Sequence, residues 1–312
     1  MRPTRSRSSG STNLATVGLA LAANLGTALA KLLGALFTGS SAMFAEAFHA
    51  FADSGNEILL LVAQRHSDLP ADERHPLGHG RAAYFWALVA SLGVFATGAI
   101  LSIRQGVLEL IHPEPTSSFR IAYVILAIAF CLDGISLVQA VGQLRKEARV
   151  WKRTLLEHLD VSSDPIARAV FAEDAAALVG NGIALGGIAL HQATGSGAPE
   201  GVAAIAVGVL LGYVALQLAA RNGSILIGGQ ASSVLRDRIE QVVAAQAGIL
   251  AVTQVLVSFI GPRRVWVIAR VAIDQTLSGA GVETLVRTIE TVLERESPFI
   301  ARVDLVPRGR QD

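Results

Sequence analysis

The sequence predicts an α-helical membrane protein with six transmembrane helices and a C-terminal cytoplasmic α/β domain. Hydrophobic residues make up 52% of the 312 residues, charged residues only 16%, and the mean hydropathy is +0.49. A soluble domain carries about 25% charged residues. The chain also contains six apolar runs near or above the about 20 residues that a helix needs to cross ~30 Å of hydrocarbon. Composition and run length together indicate the fold class.

The six predicted spans follow one another from residue 14 onward. They are Leu14–Phe37, Ala42–Gln64, Ala83–Ile111, Phe119–Leu144, Pro165–His191 and Gly201–Ala220. Segment 1–13 is basic and Ser-rich, like the start of a signal peptide. However, the apolar run after it is too long for one, and no clear cleavage site precedes the next span. We therefore expect a basic cytoplasmic tail over 1–13 and a transmembrane domain over 14–222.

The basic residues of the short connections predict the orientation. They lie almost entirely on one side of a six-span arrangement: Arg2, Arg5, Arg7, Arg65, Arg74, Arg81, Arg145, Lys146, Arg149, Lys152, Arg153 and Arg221. The opposite side has only Arg104 and Arg120 near it. Lys and Arg are enriched in cytoplasmic loops. Both termini are therefore predicted to be cytoplasmic, and we expect the protein in a bacterial inner (plasma) membrane.

The sequence changes character from about Gly228. Helical periodicity over Ser232–Ala247 is followed by β-branched segments at Val252–Ile260 and Val265–Ile273, a helix over Gly281–Arg295 and a strand over Ile300–Val306. The order αββαβ predicts a two-layer, ferredoxin-like domain over 228–308. No run in it is long enough to cross a bilayer.

The second span carries four ionisable residues on one stripe, Glu46, His49, Asp53 and Glu57. Spacings of three and four residues place side chains on one helix face. Each such group costs roughly 2.5–3.5 kcal/mol at the membrane centre on insertion scales, so it persists there when paired, solvated or functional. An imidazole and a carboxylate together supply half of a tetrahedral metal site. Polar contacts between helices are the alternative explanation.

The fifth span carries a second acidic pair, Glu173 and Asp174. Ser163-Asp164-Pro165 marks the helix start, which places Asp174 roughly 14 Å into the span. His49 and Asp53 reach a similar depth from the other face, as a shared site requires. Pairing of Glu173 and Asp174 with Lys31 of span one is the alternative. Lys31 itself either extends to the membrane surface or neutralises a carboxylate, and Asp133 of span four is a further ligand or proton-relay candidate.

The loop after the second span offers a separate set of ligands. Its sequence Pro70-Ala-Asp-Glu-Arg-His-Pro-Leu-Gly-His-Gly-Arg81 places Asp72, His75 and His79 close together. These side chains have metal-ligand chemistry. A solvated loop with incidental histidines explains the spacing equally well.

Glu46-x-x-His49-x-x-x-Asp53, the loop motif His-Pro-Leu-Gly-His-Gly-Arg, the six spans and the αββαβ tail resemble the cation diffusion facilitator family. The resemblance covers nearly the whole chain. It implies a homodimeric antiporter that exports Zn²⁺ or a similar ion in exchange for protons. It also implies His49, Asp53 and Asp174 as transport ligands and Asp72, His75 and His79 as an accessory site.

The chain departs from the family pattern at one ligand position. Val170 stands where the family usually has His or Asp, four residues before Asp174. The pair Glu173-Asp174 and the segment Phe85-Trp86-Ala87 resemble one branch of the family. Glu46, Glu173 or water is then the fourth ligand. The tail has no His or Cys, because His191 is the last histidine and Cys131 the only cysteine, so the zinc-sensing sites of many relatives are expected to be missing.

We therefore expect a metal exporter and not an enzyme, with a divalent ion, protons and the lipid bilayer as partners and no prosthetic group. The net charge of +1 gives no indication of a nucleic-acid partner. An imidazole binds metal only when neutral, and its reference pKa of ~6.5 lets protons compete with the ion. Export of Mn²⁺ or Fe²⁺, or metal binding without transport, are the alternatives. An intramembrane metalloenzyme is disfavoured because no His-Glu-x-x-His motif occurs.

Overall fold

The computed structural model describes residues 14–113, 118–150, 154–155, 164–229, 233–297 and 299–308. The predicted N-terminal tail with Arg2, Arg5 and Arg7 lies outside these residues, as do Lys152, Arg153 and Ser163.

Seven α-helical segments make up the N-terminal two thirds of the described residues. They are α1 (Leu14–Thr38), α2 (Ser41–Ser67), α3 (Ala82–Ala90), α4 (Ala96–Ile111), α5 (Phe119–Val150), α6 (Pro165–Thr194) and α7 (Ala198–Leu226). A π-helical turn, Ser91–Phe95, joins α3 to α4, so that 82–111 forms one continuous helix of 30 residues.

Five of these helices are long and apolar enough to cross a membrane: α1, the continuous α3–α4, α5, α6 and α7. The remaining predicted span lies in α2, which is 27 residues long. It does not meet the same criterion because Glu46, Asp53 and Glu57 interrupt its apolar sequence. The predicted α-helical membrane fold is confirmed, with five apolar helices and one acidic helix of similar length.

Local sequence signals explain two of the helix boundaries. Gly39 adopts a φ of 73° between α1 and α2, a conformation that favours glycine. At the start of α6, the Asp164 side chain accepts hydrogen bonds from the backbone N–H groups of Ile166 (3.0 Å) and Ala167 (3.2 Å). Asp164 is therefore the N-cap, and Pro165 occupies the first helical position as predicted.

The C-terminal segment forms the predicted αββαβ order. Its elements are α8 (Ser233–Ala244), β1 (Ile249–Gly261), β2 (Arg264–Ile273), α9 (Gly279–Glu296) and β3 (Ile300–Arg308). The strand order is β1-β2-β3, with β1 antiparallel and β3 parallel to β2. Apolar side chains of both helices, among them Ile239, Val243, Ile289 and Leu293, share one core with sheet residues such as Val267.

The described residues fall into two compact units. The first comprises those within Met1–Ile58, Leu92–Ser136 and Glu173–Ala215, and the second those within Leu59–Ser91, Leu137–Ala172 and Leu216–Asp312. The acidic stripe of α2 and the acidic pair of α6 belong to the first unit. The loop ligands and the tail belong to the second. The predicted bounds of the domains, 14–222 and 228–308, stay a prediction.

Candidate metal-binding sites

His49 and Asp53 form the centre of the buried stripe on α2. His49 is 1% exposed, and its Nε2 lies 3.5 Å from Asp53 Oδ1. Neither ring nitrogen of His49 nor Asp53 Oδ1 has a hydrogen-bond partner among the described residues. A buried polar atom left without a partner costs about 1–3 kcal/mol. Free imidazole and carboxylate lone pairs are also the atoms that a divalent cation binds.

Helix α6 approaches this stripe at Gly180. A Cβ placed on Gly180 would lie 2.5 Å from Glu46 Oε1 and 3.5 Å from His49 Nδ1. An added side chain would therefore displace Glu46 Oε1, whereas its distance to His49 Nδ1 is an ordinary van der Waals contact. Gly180 was not predicted from the sequence, although small residues at helix contacts in membranes provide a general signal for it.

Lys31 pairs with acids of two other helices. It is 2% exposed, and its Nζ lies 2.9 Å from Glu46 Oε2 and 3.9 Å from Asp133 Oδ2. Asn181 Nδ2 donates to the same Asp133 oxygen at 2.6 Å. Of the two interpretations of Lys31, the structure therefore shows the one in which it neutralises a carboxylate. Asn181 was a second residue that sequence reasoning missed.

The acidic pair of α6 has other partners. Asn56 of α2 donates a short hydrogen bond to Glu173, and Ser136 of α5 donates to Asp174 Oδ2 at 2.9 Å. The alternative pairing of these acids with Lys31 is therefore not observed. Glu57 accepts from Asn24 of α1 at 2.6 Å. The carboxylates of Asp53 and Asp174 lie within electrostatic range of each other.

The membrane helices do not bring three ligand atoms into one tight group. In the part of the chain that the structure describes, the only three His, Cys, Asp or Glu residues with ligand atoms all within 4.8 Å are Asp72, His75 and His79. Among the transport-ligand candidates of the membrane helices, His49 and Asp53 are adjacent, at 3.5 Å. Asp174 does not join them within 4.8 Å, Glu46 is held by Lys31, and Glu173 is held by Asn56.

Asp72 and His75 are exposed and His79 is half-buried, and both imidazoles contact the Asp72 carboxylate. His75 Nδ1 lies 3.1 Å and His79 Nε2 3.5 Å from the Asp72 carboxylate, and the two ring centroids are 4.1 Å apart. A hydrogen bond from the His75 backbone N–H holds the pKa of Asp72 below its usual range, with a smaller contribution from the His75 side chain. The carboxylate is therefore charged and ready to bind a cation at neutral pH.

The backbone that follows the loop ligands packs against strand β1. A Cβ on Gly80 would collide with the carbonyl oxygen of Ile260 and lie 2.8 Å from Gly261 Cα. Arg81 Nε donates to the Phe259 carbonyl at 3.2 Å. Tyr84, fully buried, belongs to the same hydrophobic core as the tail sheet. These contacts fix the position of the loop on the tail within the second unit.

A second buried polar group lies at the turn between α6 and α7. His191 Nδ1 lies 2.6 Å from Glu200 Oε1, the Ser40 hydroxyl donates to Glu200 Oε2, and the Phe119 ring packs edge-on against His191 at 5.2 Å. Sequence reasoning did not predict this group, because its members lie on separate segments. The three polar residues bond to one another in the described residues, so they require no ligand.

The comparisons with known proteins identify the family. A family model for the cation efflux transmembrane domain matches residues 17–227. The chain belongs to the cation diffusion facilitator family. The resemblance inferred from the sequence motifs is thereby confirmed.

Three relatives illustrate the range of similarity. The mitochondrial proton-coupled zinc antiporter SLC30A9 of Homo sapiens is 32% identical over 244 residues, which are 78% of this chain and 43% of the relative. Metal tolerance protein C4 of Arabidopsis thaliana is 33% identical over 196 residues, 62% of this chain and 43% of the relative. The cation-efflux pump FieF of Shewanella oneidensis is 34% identical over 120 residues, 37% of this chain and 40% of the relative. The chain thus spans less than half the length of these relatives.

Proposed function

We propose that this protein exports a divalent metal ion, with Zn²⁺ the first candidate, in exchange for protons, and that His49, Asp53 and Asp174 are the transport ligands. The observation that carries the proposal is the buried His49–Asp53 pair, whose ring nitrogens and Oδ1 have no partner among the described residues. The relative SLC30A9 is named a proton-coupled zinc antiporter, which supports the same ion and the same exchange.

The pairing of imidazole with carboxylate suits exchange of a metal for protons. An imidazole must be neutral, and a carboxylate ionised, to bind a metal ion, so metal and protons compete for the same lone pairs. A proton that reaches His49 from the far side of the membrane would displace the ion. Asp174 would leave the Ser136 hydroxyl, which donates to it at 2.9 Å, to complete the site. Glu46, Glu173 and water are the candidates for the fourth ligand, and the salt bridge to Lys31 disfavours Glu46.

Proteoliposome flux tests the site. We expect Asp53→Ala and Asp174→Ala to lower metal flux by about 100-fold or more, because each removes a charged ligand from a site with few ligands. Asp68→Ala, which removes an exposed carboxylate at the end of α2, is the matched control and should retain wild-type flux. Full flux in either purified, folded Asp53 or Asp174 variant would overturn the assignment.

Export of Mn²⁺ or Fe²⁺ is the second candidate. Two carboxylates and a single imidazole form a harder ligand set than the nitrogen- and sulfur-rich sites typical of zinc, and geometry decides among ions more than affinity does. Flux measured with a panel of Zn²⁺, Mn²⁺, Fe²⁺ and Co²⁺ separates these candidates. Binding without flux for every ion would instead favour a membrane metal-binding protein.

The tail is proposed to join two copies of the chain in the cytoplasm without bound metal, in a bacterial inner membrane with both termini cytoplasmic. The tail sequence contains no His or Cys. Two of its carboxylates already have partners, since Asp274 accepts from Thr276 and Glu283 pairs with Arg287 at 2.7 Å. The full chain in detergent should therefore have the mass of a dimer in the presence of a chelator. A monomer that dimerises only when zinc is added would contradict this proposal.

A further inference from the structure

Lys31 is an unusual residue for an apolar membrane helix. Its ammonium is 2% exposed, and a charge in that setting is retained only where another group neutralises it. Two carboxylates do so, Glu46 Oε2 at 2.9 Å and Asp133 Oδ2 at 3.9 Å. The cation of α1 thus lies between acids of α2 and α5.

Contact with Lys31 distinguishes Glu46 from Asp53 among the acids of the α2 stripe. Glu46 has one oxygen on Lys31, and its other oxygen, Oε1, is buried without a partner beside Gly180 and His49. Within the described residues, Asp53, one turn beyond His49, forms no ion pair with Lys31 within 4.0 Å, and its Oδ1 has no hydrogen-bond partner. Glu46 therefore faces the same region as His49, but its charge is already balanced.

We propose that Lys31 is a built-in counter-cation that keeps Glu46 out of the ligand set and so sets the affinity of the transport site. The inference rests on the function proposed above. A divalent ion bound to Glu46 would lie next to the Lys31 ammonium. The ammonium cannot move away from the ion without breaking its buried salt bridge to Glu46. Repulsion between these charges, strong in an apolar interior, confines the ion to His49, Asp53 and the acids of α6.

This role has a consequence for transport. A site that also used Glu46 would have one more negative charge and would hold the ion more tightly. Tighter binding slows release, and an exporter must release its ion in each cycle. Lys31 therefore favours turnover over affinity. If the pair only held the helices together, its loss would change stability and leave the affinity of the site unchanged.

A double-mutant cycle tests the proposal with four proteins: wild type, Lys31→Met, Glu46→Gln and the double variant. Zinc affinity is measured in detergent by competition with a fluorescent chelator, and flux in proteoliposomes. We expect Lys31→Met to bind zinc about tenfold more tightly, or more, and to transport it more slowly. Glu46→Gln leaves the ammonium poorly balanced and should weaken binding by about tenfold. The double variant, which removes both charges, should return to within about threefold of wild type in both measurements.

The outcomes separate the explanations. A double variant as weak as Glu46→Gln would show that Glu46 itself binds the ion and would overturn the proposal, as would wild-type affinity in Lys31→Met. If Lys31→Met does not fold, the test is the comparison of Glu46→Gln with the double variant. The double variant should bind zinc more tightly than Glu46→Gln, and equal affinity would contradict the proposal. Asp53→Ala distinguishes an error in the proposed role of Lys31 from an error in the proposed transport site. Loss of zinc binding there with no effect in the cycle refutes only the role of Lys31, whereas retained binding refutes the transport site.

Discussion

The pair on α2 and the three residues of the loop offer a cation the same kinds of atoms, in opposite settings. His49 is buried and Asp53 half-buried, and three of their polar atoms have no hydrogen-bond partner among the described residues. Asp72, His75 and His79 are largely exposed, lie within 4.8 Å of one another and already bond among themselves. The three loop residues are thus the more closely spaced set, but a bound metal would stabilise them less because they already bond to one another.

This difference shows that proximity of ligands does not by itself identify a transport site. Water competes at the loop, and the three side chains satisfy one another without an ion, so a cation gains little there. In the helices, each unpartnered atom carries a cost that an ion would remove. Because Asp174 does not join His49 and Asp53 within 4.8 Å, the proposed site would have to close around an ion.

The largest effect predicted from this comparison is that of Gly180→Ala on metal flux. In Gly180→Ala, the new Cβ would lie 2.5 Å from Glu46 Oε1 and close to His49 Nδ1. It must displace a carboxylate that Lys31 holds, so we expect metal flux to fall by about tenfold or more. Gly182→Ala in the same helix is the matched control, because nothing lies within 4 Å of its added Cβ. Equal flux in both variants would show that α6 does not shape the site.

A smaller effect is expected from Gly80→Ala, on the stability of the contact between the loop and strand β1. Gly80→Ala places a Cβ against the Ile260 carbonyl and 2.8 Å from Gly261 Cα, both of them backbone atoms that cannot rotate away. The free energy of unfolding should fall by about 1–3 kcal/mol, as for other overpacked sites. Gly279→Ala, with open space around its Cβ, should leave the thermal midpoint unchanged. A Gly80→Ala protein as stable as wild type would mean that the loop is not anchored on β1.

Features set by local spacing were predictable from the sequence, and features set by helix packing were not. The stripe Glu46–His49–Asp53, the cap at Asp164 and the αββαβ order each depend on neighbours within a few residues or on strand periodicity. In contrast, the Asn56–Glu173 and Asn181–Asp133 bonds join residues 117 and 48 positions apart. Which face of one helix meets which face of another depends on packing of the whole bundle, and apolar sequence alone carries little of that information.

The smallest effect on transport, and the sharpest test of the loop, comes from its three ligands. The variant Asp72→Ala/His75→Ala/His79→Ala should lose one equivalent of bound zinc and keep flux within about threefold of wild type, since exposed charged groups contribute little energy. Asp68→Ala/Glu73→Ala, which removes two exposed acids near the same loop, should keep the full stoichiometry. Because the His75 N–H lowers the pKa of Asp72, this carboxylate stays charged as the pH falls below neutral. Asp72→Asn, which removes this charge and keeps the shape of the side chain, should therefore bind loop zinc more weakly at neutral and mildly acidic pH, and unchanged zinc affinity would contradict the assignment of Asp72 as a ligand.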